Sequence, residues 1–522
     1  MPGALLSGLL SGLTLPAAFG SFRFPDLGFL AWVALFPLYL SLSNASTGAA
    51  FRRGLAWGIA FYGVSLYWIF IAMHTYGEIP VWGSLLGLAA SVLIESLFSA
   101  AACGLAAGGS RRRIPLFILF PLAWVIQDFA RTYIPFGGNS WASLVYTQRS
   151  FLSLLQILDL TGIYGIIFLL ALSNALAGEV WLCLRKRRSF PMKLAASFLI
   201  LFLTALVYGR SRLSSVKKDL ASRETMRISL VQGNIPQEEK WLEEKIEEII
   251  ARHLVLSGEV ENPDLIVWPE AAYPAVVPPE IIRIDFFKDL KVPLLAGVVS
   301  YEGRIPLAWP PDPDDKSFAL YNSAFLFEPG GYIAGRYHKN HLVPMGEYVP
   351  LGRFLFFLNR IVPSISSFTP GKELNLLTVS EDINFGVTIC YEDLFPGISR
   401  SFTRQGADFL VNLTNDAWYE RSSAVYQHFD FSRYRAVENR RSMVRATNTG
   451  VTGFFLPTGE VLASAPLFTE AVLAADVPLG GPVSFYTRFG DLFAWGCLLG
   501  YGLLMGRTFV RRWRGQGNQR TV

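Results

Sequence analysis

Of the four cysteines in this 522-residue chain, Cys103, Cys183 and Cys497 fall inside long apolar runs, and Cys390 alone lies in a stretch of ordinary charge. That stretch therefore holds no internal disulfide, so Cys390 is either a buried, inert thiol or a reactive one. It ends the run NFGVTIC (384–390), and YEDLFP (391–396) then reads as a sharp turn into a helix with acidic residues in its first turn. Backbone N–H groups at such a junction can stabilise a thiolate or an oxyanion. Two further segments end in groups that would complement a nucleophile. DLIVWPE (264–270) is a strand that stops at Pro269 and delivers Glu270 just past its end, where open α/β sheets place their sites. GRYHKNH (335–341) is expected to follow a strand and presents Lys339. A Cys, a Glu and a Lys brought together supply the nucleophile, the proton acceptor and the fixed positive charge that acyl transfer requires.

Converging these three needs a sheet. From about residue 226, short β-branched runs alternate with helical or turn segments. Strands are expected at 227–233, 264–268, 293–300, 321–327, 384–390, 408–414 and 450–456, with a helix-spaced apolar pattern over 238–256. Runs that are apolar throughout, interleaved with helices, imply a sheet covered on both faces.

The rest of the chain is of another kind. Of all residues, 52% are hydrophobic and 17% charged, against about 25% charged in soluble domains, so an ordinary soluble enzyme is excluded. Residues 1–210 carry 14 Lys/Arg and 6 Asp/Glu, residues 211–487 carry 26 and 34, and residues 488–522 carry 6 and 1. An acidic block thus sits between two basic, apolar ones, and the net charge of +5 is no nucleic-acid surface. Eight apolar stretches of spanning length are expected, at 4–22, 27–43, 55–75, 84–107, 114–132, 160–183, 193–209 and 489–506. One set of connections plus the C-terminal tail holds 15 Lys/Arg, whereas the other holds only Arg23, Arg131 and Arg149. By the positive-inside rule both termini are cytoplasmic and the acidic block is external. Glu95 alone among the membrane carboxylates lies near mid-span, as either a functional or a hydrogen-bonded structural group. Residues 135–148, too polar to cross, read as an element re-entering beside the external domain or as a plain interfacial loop. The run Phe354, Leu355, Phe356, Phe357, Leu358 is too apolar for a solvated loop and too short to span. It reads as an arm dipping into the outer leaflet, with packing inside the domain as the alternative. Arg433, Arg435, Arg440, Arg441 and Arg445 are read either as lipid-phosphate contacts or as paired side chains. His428, His338 and His341 lack a further ligand at metal-site spacing, so no metal and no cofactor is expected.

Several stretches carry a resemblance: VQGNIPQEEKW (231–241), WPEAAYP (268–274), YHKNHLVPMGEYVPLG (337–352), ICYEDLFP (389–396), NLTNDAWY (412–419) and QHFDFSRYRAVENRRSMVRATNTG (427–450). With them the chain resembles the nitrilase, or carbon–nitrogen hydrolase, superfamily, and within it the membrane-embedded apolipoprotein N-acyltransferases, over essentially its whole length. The resemblance implies a membrane helical bundle carrying an external α/β domain, a nitrilase-like αββα sandwich. The expected division is a membrane domain over 1–210, a linker over 211–225, the catalytic domain over 226–480, a terminal helix over 488–510 and a basic tail over 511–522. It further implies Glu270 as general base, Lys339 as oxyanion partner and Cys390 as nucleophile, with Glu347 a second carboxylate in the site. Trp241, Tyr391 and Glu392 would line the pocket or support it. The implied reaction is transfer of a fatty acyl chain from a phospholipid, phosphatidylethanolamine in this family, to the N-terminal amine of a diacylglyceryl-cysteine apolipoprotein. The expected setting is the bacterial inner membrane, with the protein a monomer. A membrane-tethered amidase and a non-enzymatic transporter or scaffold are the rival readings. His338 and Asn340 flank Lys339 in an order that departs from the expected pattern, and the Pro/Asp-rich 304–316 reads as an insertion.

Overall fold

A computed structural model describes residues 1–186, 189–303, 317–350, 368–380 and 382–517. The apolar run Phe354–Leu358, the 304–316 insertion and the end of the basic tail lie outside the described residues.

The second half forms two sheets packed back to back. One has the order Val461–Ser464, Gly453–Phe455, Ser442–Thr447, Phe409–Thr414, Ile383–Ile389, Leu377–Ser380. Its three central strands run parallel, with Val387 opposite Val411 and Val411 opposite Val444. The other runs Ala471–Pro478, Thr225–Gln232, Leu265–Val267, Leu294–Gly303, Phe318–Phe327, Ile333–His338, and Tyr273–Val277 pairs with Leu294–Gly303 off this path. Between the sheets, Ile228, Leu230, Val267 and Leu326 of one meet Val387, Ile389, Val411 and Val444 of the other in one buried cluster. The helix Ile246–Ser257 covers the outer face of the second sheet through Ile250 and Leu256. Pro396–Gln405 and Ser423–Asn439 cover the first. The expected αββα layering and all seven expected strands are present. Gly335–His338 does not follow a strand but belongs to one, Ile333–His338, so Lys339 stands one residue past its end.

Among the described residues three helices are long and apolar enough to cross a membrane: Val81–Ser110, Tyr164–Lys186 and Met192–Leu220. Thr47–Ser65 and Trp68–Tyr76, bent by 54°, make a fourth if taken as one span. Met192–Leu220 leaves Leu199, Ile200, Leu203 and Val207 exposed, an apolar face that water would not tolerate at this extent. Of the remaining apolar stretches, 4–22 and 27–43 are more broken than their composition suggests, whereas 114–132 and 489–506 each hold one continuous helix. The first helix, Pro2–Leu13, stops ahead of Pro16 and gives way to a two-stranded hairpin, Ala18–Phe19 with Phe22–Arg23. Leu116–Arg131 is 16 residues long and largely buried. Leu492–Gly517 ends the described chain.

The helix Ser423–Asn439 joins the halves. Its Val425, Phe431, Tyr434 and Val437 enter the same buried cluster as Trp57, Phe120 and Leu170 of the apolar helices. It is therefore covered on both sides, by the sheet and by the membrane helices.

Candidate active site

The three sequence-marked groups meet at one edge of the sandwich. Glu270 lies in the turn after Leu265–Val267, where the next residue, Ala271, takes a φ of 46°. That tight turn sits directly on Gly297 of the neighbouring strand: a Cβ there would stand 2.5 Å from both Pro269 O and Ala271 N. Gly297 is thus needed for close approach, not for its conformational freedom. Lys240 Nζ donates to the carbonyl of Glu270 at 2.8 Å and holds the turn from the other side. Tucking Lys240 inward draws its segment out of the helix the periodicity predicts, so the helix begins only at Ile246.

Cys390 follows the strand Ile383–Ile389 and opens a short 3₁₀ turn, Cys390–Leu394, with a φ of 51°. A non-glycine residue in the left-handed region costs free energy and persists only when its surroundings fix it. Here the carbonyl of Cys390 accepts from Asn412 Nδ2 at 3.1 Å and from His428 Nε2 at 3.2 Å. Behind these donors lies a buried network. His428 Nδ1 meets Asp416 at 2.7 Å, and Arg445 reaches both Asp393 and Asp416 at 3.1 Å. Burial and Arg445 oppose a charge on His428, but the two aspartates prevail and raise its pKa. Arg445 lies between the two buried aspartates and His428 bonds Asp416, so the acids are buried with hydrogen-bonding partners, the condition for such a cluster to be tolerated.

Lys339 Nζ lies 2.9 Å from Glu347 and 3.9 Å from Glu270 Oε1. Asn322 Nδ2 bridges the two carboxylates, 2.7 Å from Glu270 Oε1 and 2.9 Å from Glu347 Oε1. Burial alone would depress the ammonium of Lys339, but Glu347 and Glu270 outweigh it and raise its pKa, keeping it charged. The thiol of Cys390 is pushed up, first by burial and then by the negative charge of Glu270, while Lys339 pulls the other way. Both partners thus act electrostatically on the sulfur, which is protonated at neutral pH and needs a base as it attacks.

Glu392 does not line a pocket. Its carboxylate accepts from the main-chain N–H of Ile389 at 2.8 Å, of Asn340 at 2.7 Å and of His341 at 3.0 Å, and from the hydroxyl of Tyr337 at 3.0 Å. It ties the loop of Lys339 to the turn of Cys390. His338 and Asn340, out of the expected order, take outward duties: His338 bonds Ser323, and Asn340 Nδ2 donates to His338 O and Glu373 O. Tyr391 stacks on Trp141 at 6.4 Å with its hydroxyl donating to Gly138 O, so the segment 135–148 packs against the turn of Cys390. Trp241 is half-exposed, outside this contact set.

Asn322, Lys240 and Trp141 were not singled out from sequence. An Asn within the otherwise apolar run YNSAFLF is the signal for the first, because a buried amide demands partners. The five arginines are paired rather than free: Arg445 as above, Arg435 with Glu438, Arg440 with Asp159 and Gln156, Arg433 with Asp430, and Arg441 with the carbonyls of Ala407 and Gly481. Arg131, read as a loop residue, lies buried at a helix end between Glu95 at 2.6 Å and Asp128 at 2.9 Å. Among the described residues no group of three His, Cys, Asp or Glu is placed to hold a metal.

Two back-to-back sheets with a Cys, a Glu and a Lys at one edge define a carbon–nitrogen hydrolase domain, and residues 227–482 match the carbon–nitrogen hydrolase family. Residues 11–176 match the apolipoprotein N-acyltransferase N-terminal domain. Apolipoprotein N-acyltransferase of Geobacter metallireducens is 38% identical over 518 residues, covering 98% of this chain and 95% of that protein. Those of Methylococcus capsulatus and Chlorobaculum tepidum are each 32% identical, covering 98% and 97% of this chain and 97% and 96% of their own. The chain belongs to the apolipoprotein N-acyltransferase family.

Proposed function

We propose that this protein moves a fatty acyl chain from a membrane phospholipid to the N-terminal amine of a diacylglyceryl-cysteine apolipoprotein, through a thioester on Cys390. The observation that carries this reading is the convergence of Glu270 and Lys339 on one buried thiol, in a domain whose nucleophile turn packs against membrane helices.

Glu270 takes the thiol proton as the sulfur attacks the ester carbonyl. The tetrahedral oxyanion forms beside Lys339 and a backbone N–H near Tyr391, and a single such donor is commonly worth about 3–4 kcal/mol. Collapse breaks the ester C–O bond, and Glu270 returns its proton to the departing lysophospholipid alkoxide. The amine of the acceptor then attacks the thioester, loses its proton to Glu270, and expels the Cys390 thiolate, which recovers that proton. Glu347 and Asn322 hold Lys339 and Glu270 in register through the contacts above. Tyr391 and Trp141 wall the sulfur, Glu392 fixes the loop that carries Lys339, and Trp241 stands at the rim. The apolar run Phe354–Leu358 serves as the membrane arm that admits the donor.

The setting belongs to the same proposal. Residues 1–210 form the membrane domain and 211–225 a linker. Residues 226–480 form the catalytic domain on the outer face of the inner membrane, 488–510 a last crossing, and 511–522 a cytoplasmic tail. Eight crossings put both termini inside. Phosphatidylethanolamine is the donor, and the protein works as a monomer without cofactor. A ping-pong scheme predicts that purified protein given phospholipid but no acceptor releases one equivalent of lysophospholipid and stops, resuming when a diacylglyceryl lipopeptide is added. Continuous release without acceptor would point instead to a hydrolase of the amidase kind.

A further inference from the structure

The face of Ser423–Asn439 turned away from the active site borders an open cavity of about 680 Å3, in which Arg23, Arg149 and Arg433 with Asp26, Asp430 and Glu460 stand among apolar side chains such as Phe24, Leu152 and Phe429. At ~100° per residue, Tyr426, Asp430 and Arg433 form a stripe on the helix set roughly 150° from His428, Ser432 and Arg435, which face the network behind Cys390. The cavity is therefore separate from the catalytic centre.

Its cations are under-used. Arg149 is only 8% exposed, yet none of its guanidinium N–H groups makes a hydrogen bond among the described residues. It has only ion pairs at 3.4 Å to Asp26 and 3.5 Å to Asp430, and its Nη1 is buried without a partner. Arg283, Arg435 and Arg445 also hold buried nitrogens without a partner among the described residues, but Arg149 alone of these lines the cavity, where an acceptor can reach it. The acids that could serve it are already engaged. Asp26 accepts from the Gly28 N–H and the Ser150 hydroxyl, Asp430 is shared with Arg433, and Glu460 is taken by Lys217 at 2.7 Å. Arg23 has no carboxylate within ion-pair distance among the described residues, and its guanidinium lies over the Tyr426 ring at 4.6 Å. Beside it, on the hairpin strands and just past them, Phe19, Phe22 and Phe24 are 72%, 62% and 39% exposed. Exposed aromatic side chains flanking a basic group are the composition of a membrane–water interface.

We propose that this cavity binds the phosphate of a membrane phospholipid, with Arg149 and Arg23 as its ligands and the hairpin aromatics against the acyl–glycerol region. A phosphate oxygen accepting at Nη1 completes the donor set of Arg149 with one charge-assisted hydrogen bond. The lipid bound here is not the acyl donor, and the site stands or falls apart from the proposed reaction.

The test uses the full-length protein in detergent, titrated with an ether-linked phosphatidylglycerol that cannot be consumed, with the first binding event followed by native mass spectrometry. Arg149→Gln and Arg23→Gln should each weaken that event about tenfold, the loss expected for one charge-assisted contact. A diacylglycerol lacking phosphate should bind wild type and both variants alike, and millimolar inorganic phosphate should leave the lipid in place. Arg23 is exposed, so its variant keeps the fold, and a thermal midpoint matching the wild type checks this in both. Unchanged lipid binding in Arg23→Gln and in folded Arg149→Gln overturns the site. Displacement of the lipid by inorganic phosphate overturns the lipid assignment and leaves a soluble anion as the occupant.

Discussion

At Cys390 burial and two opposite charges compete, and the balance makes a sharp prediction. Glu270 raises the pKa of the thiol and Lys339 lowers it. Glu270→Gln should therefore speed alkylation of Cys390 by iodoacetamide at pH 8 while reducing turnover at least ~100-fold, the low end of what a general base contributes. Lys339→Met should slow both. Parallel loss of alkylation and turnover in Glu270→Gln would show that Glu270 acts only by shaping the site. Glu392 makes a second prediction. Burial raises its pKa to about 7, above the ordinary ~4.3, and the hydrogen bonds from Ile389 and His341 only partly offset this. The folded state then holds a proton that the unfolded state has released. The stability this proton contributes is complete below about pH 4 and is lost as pH rises to 7. Thermal midpoints measured between pH 5 and 7.5 should fall less steeply in Glu392→Gln than in the wild type, and equal slopes would contradict the assignment.

Among the elements, one of the links between membrane and catalytic halves runs through Arg131. Its Nη2 donates to Trp141 O at 3.1 Å, Trp141 Nε1 donates to Gln427 at 2.7 Å, and the Trp141 ring faces Tyr391. Arg131→Met leaves Glu95 and Asp128 buried without their cation, which should cost about 3–5 kcal/mol. It should lower the thermal midpoint and kcat together, with partial recovery in Arg131→Lys. A variant as stable and active as the wild type would show that the re-entrant loop holds itself. The elements also show what the amino-acid pattern could reveal. Strands such as Phe409–Thr414 and Ile383–Ile389 were legible because both faces are buried and the runs are apolar throughout. Glu270, Lys339 and Cys390 were legible because each closes a strand. Asn322 and Lys240 were not, because their partners Glu347 and Glu270 lie 25 and 30 residues away in turns that only the folded chain brings to them. Arg131 misled for a related reason: a charge beside an apolar run looks like a loop unless the burying partner, Glu95, is seen across the helix pair. The broken first helix shows that composition over 4–22 does not register the stop that Pro16 and the following hairpin impose.

For the whole molecule, the proposed reaction lies at a bilayer surface, a reading supported by the charge segregation, the exposed apolar face of Met192–Leu220 and the packing of the Cys390 turn on apolar helices. Single cysteines introduced into a protein freed of all four native cysteines, Cys103, Cys183, Cys390 and Cys497, test the orientation. A membrane-impermeant maleimide applied to intact spheroplasts should label position 259 in the catalytic domain and not position 111. The reverse pattern would invert the topology. The most direct measurement of the central claim is intact-protein and peptide mass spectrometry after incubation with an isotopically labelled diacyl phospholipid in the absence of acceptor. One acyl chain should appear on Cys390, be released by neutral hydroxylamine, and pass to an added diacylglyceryl lipopeptide, while Cys390→Ala carries none. An acyl chain on any other residue, or full transfer to the lipopeptide by Cys390→Ala, would contradict it.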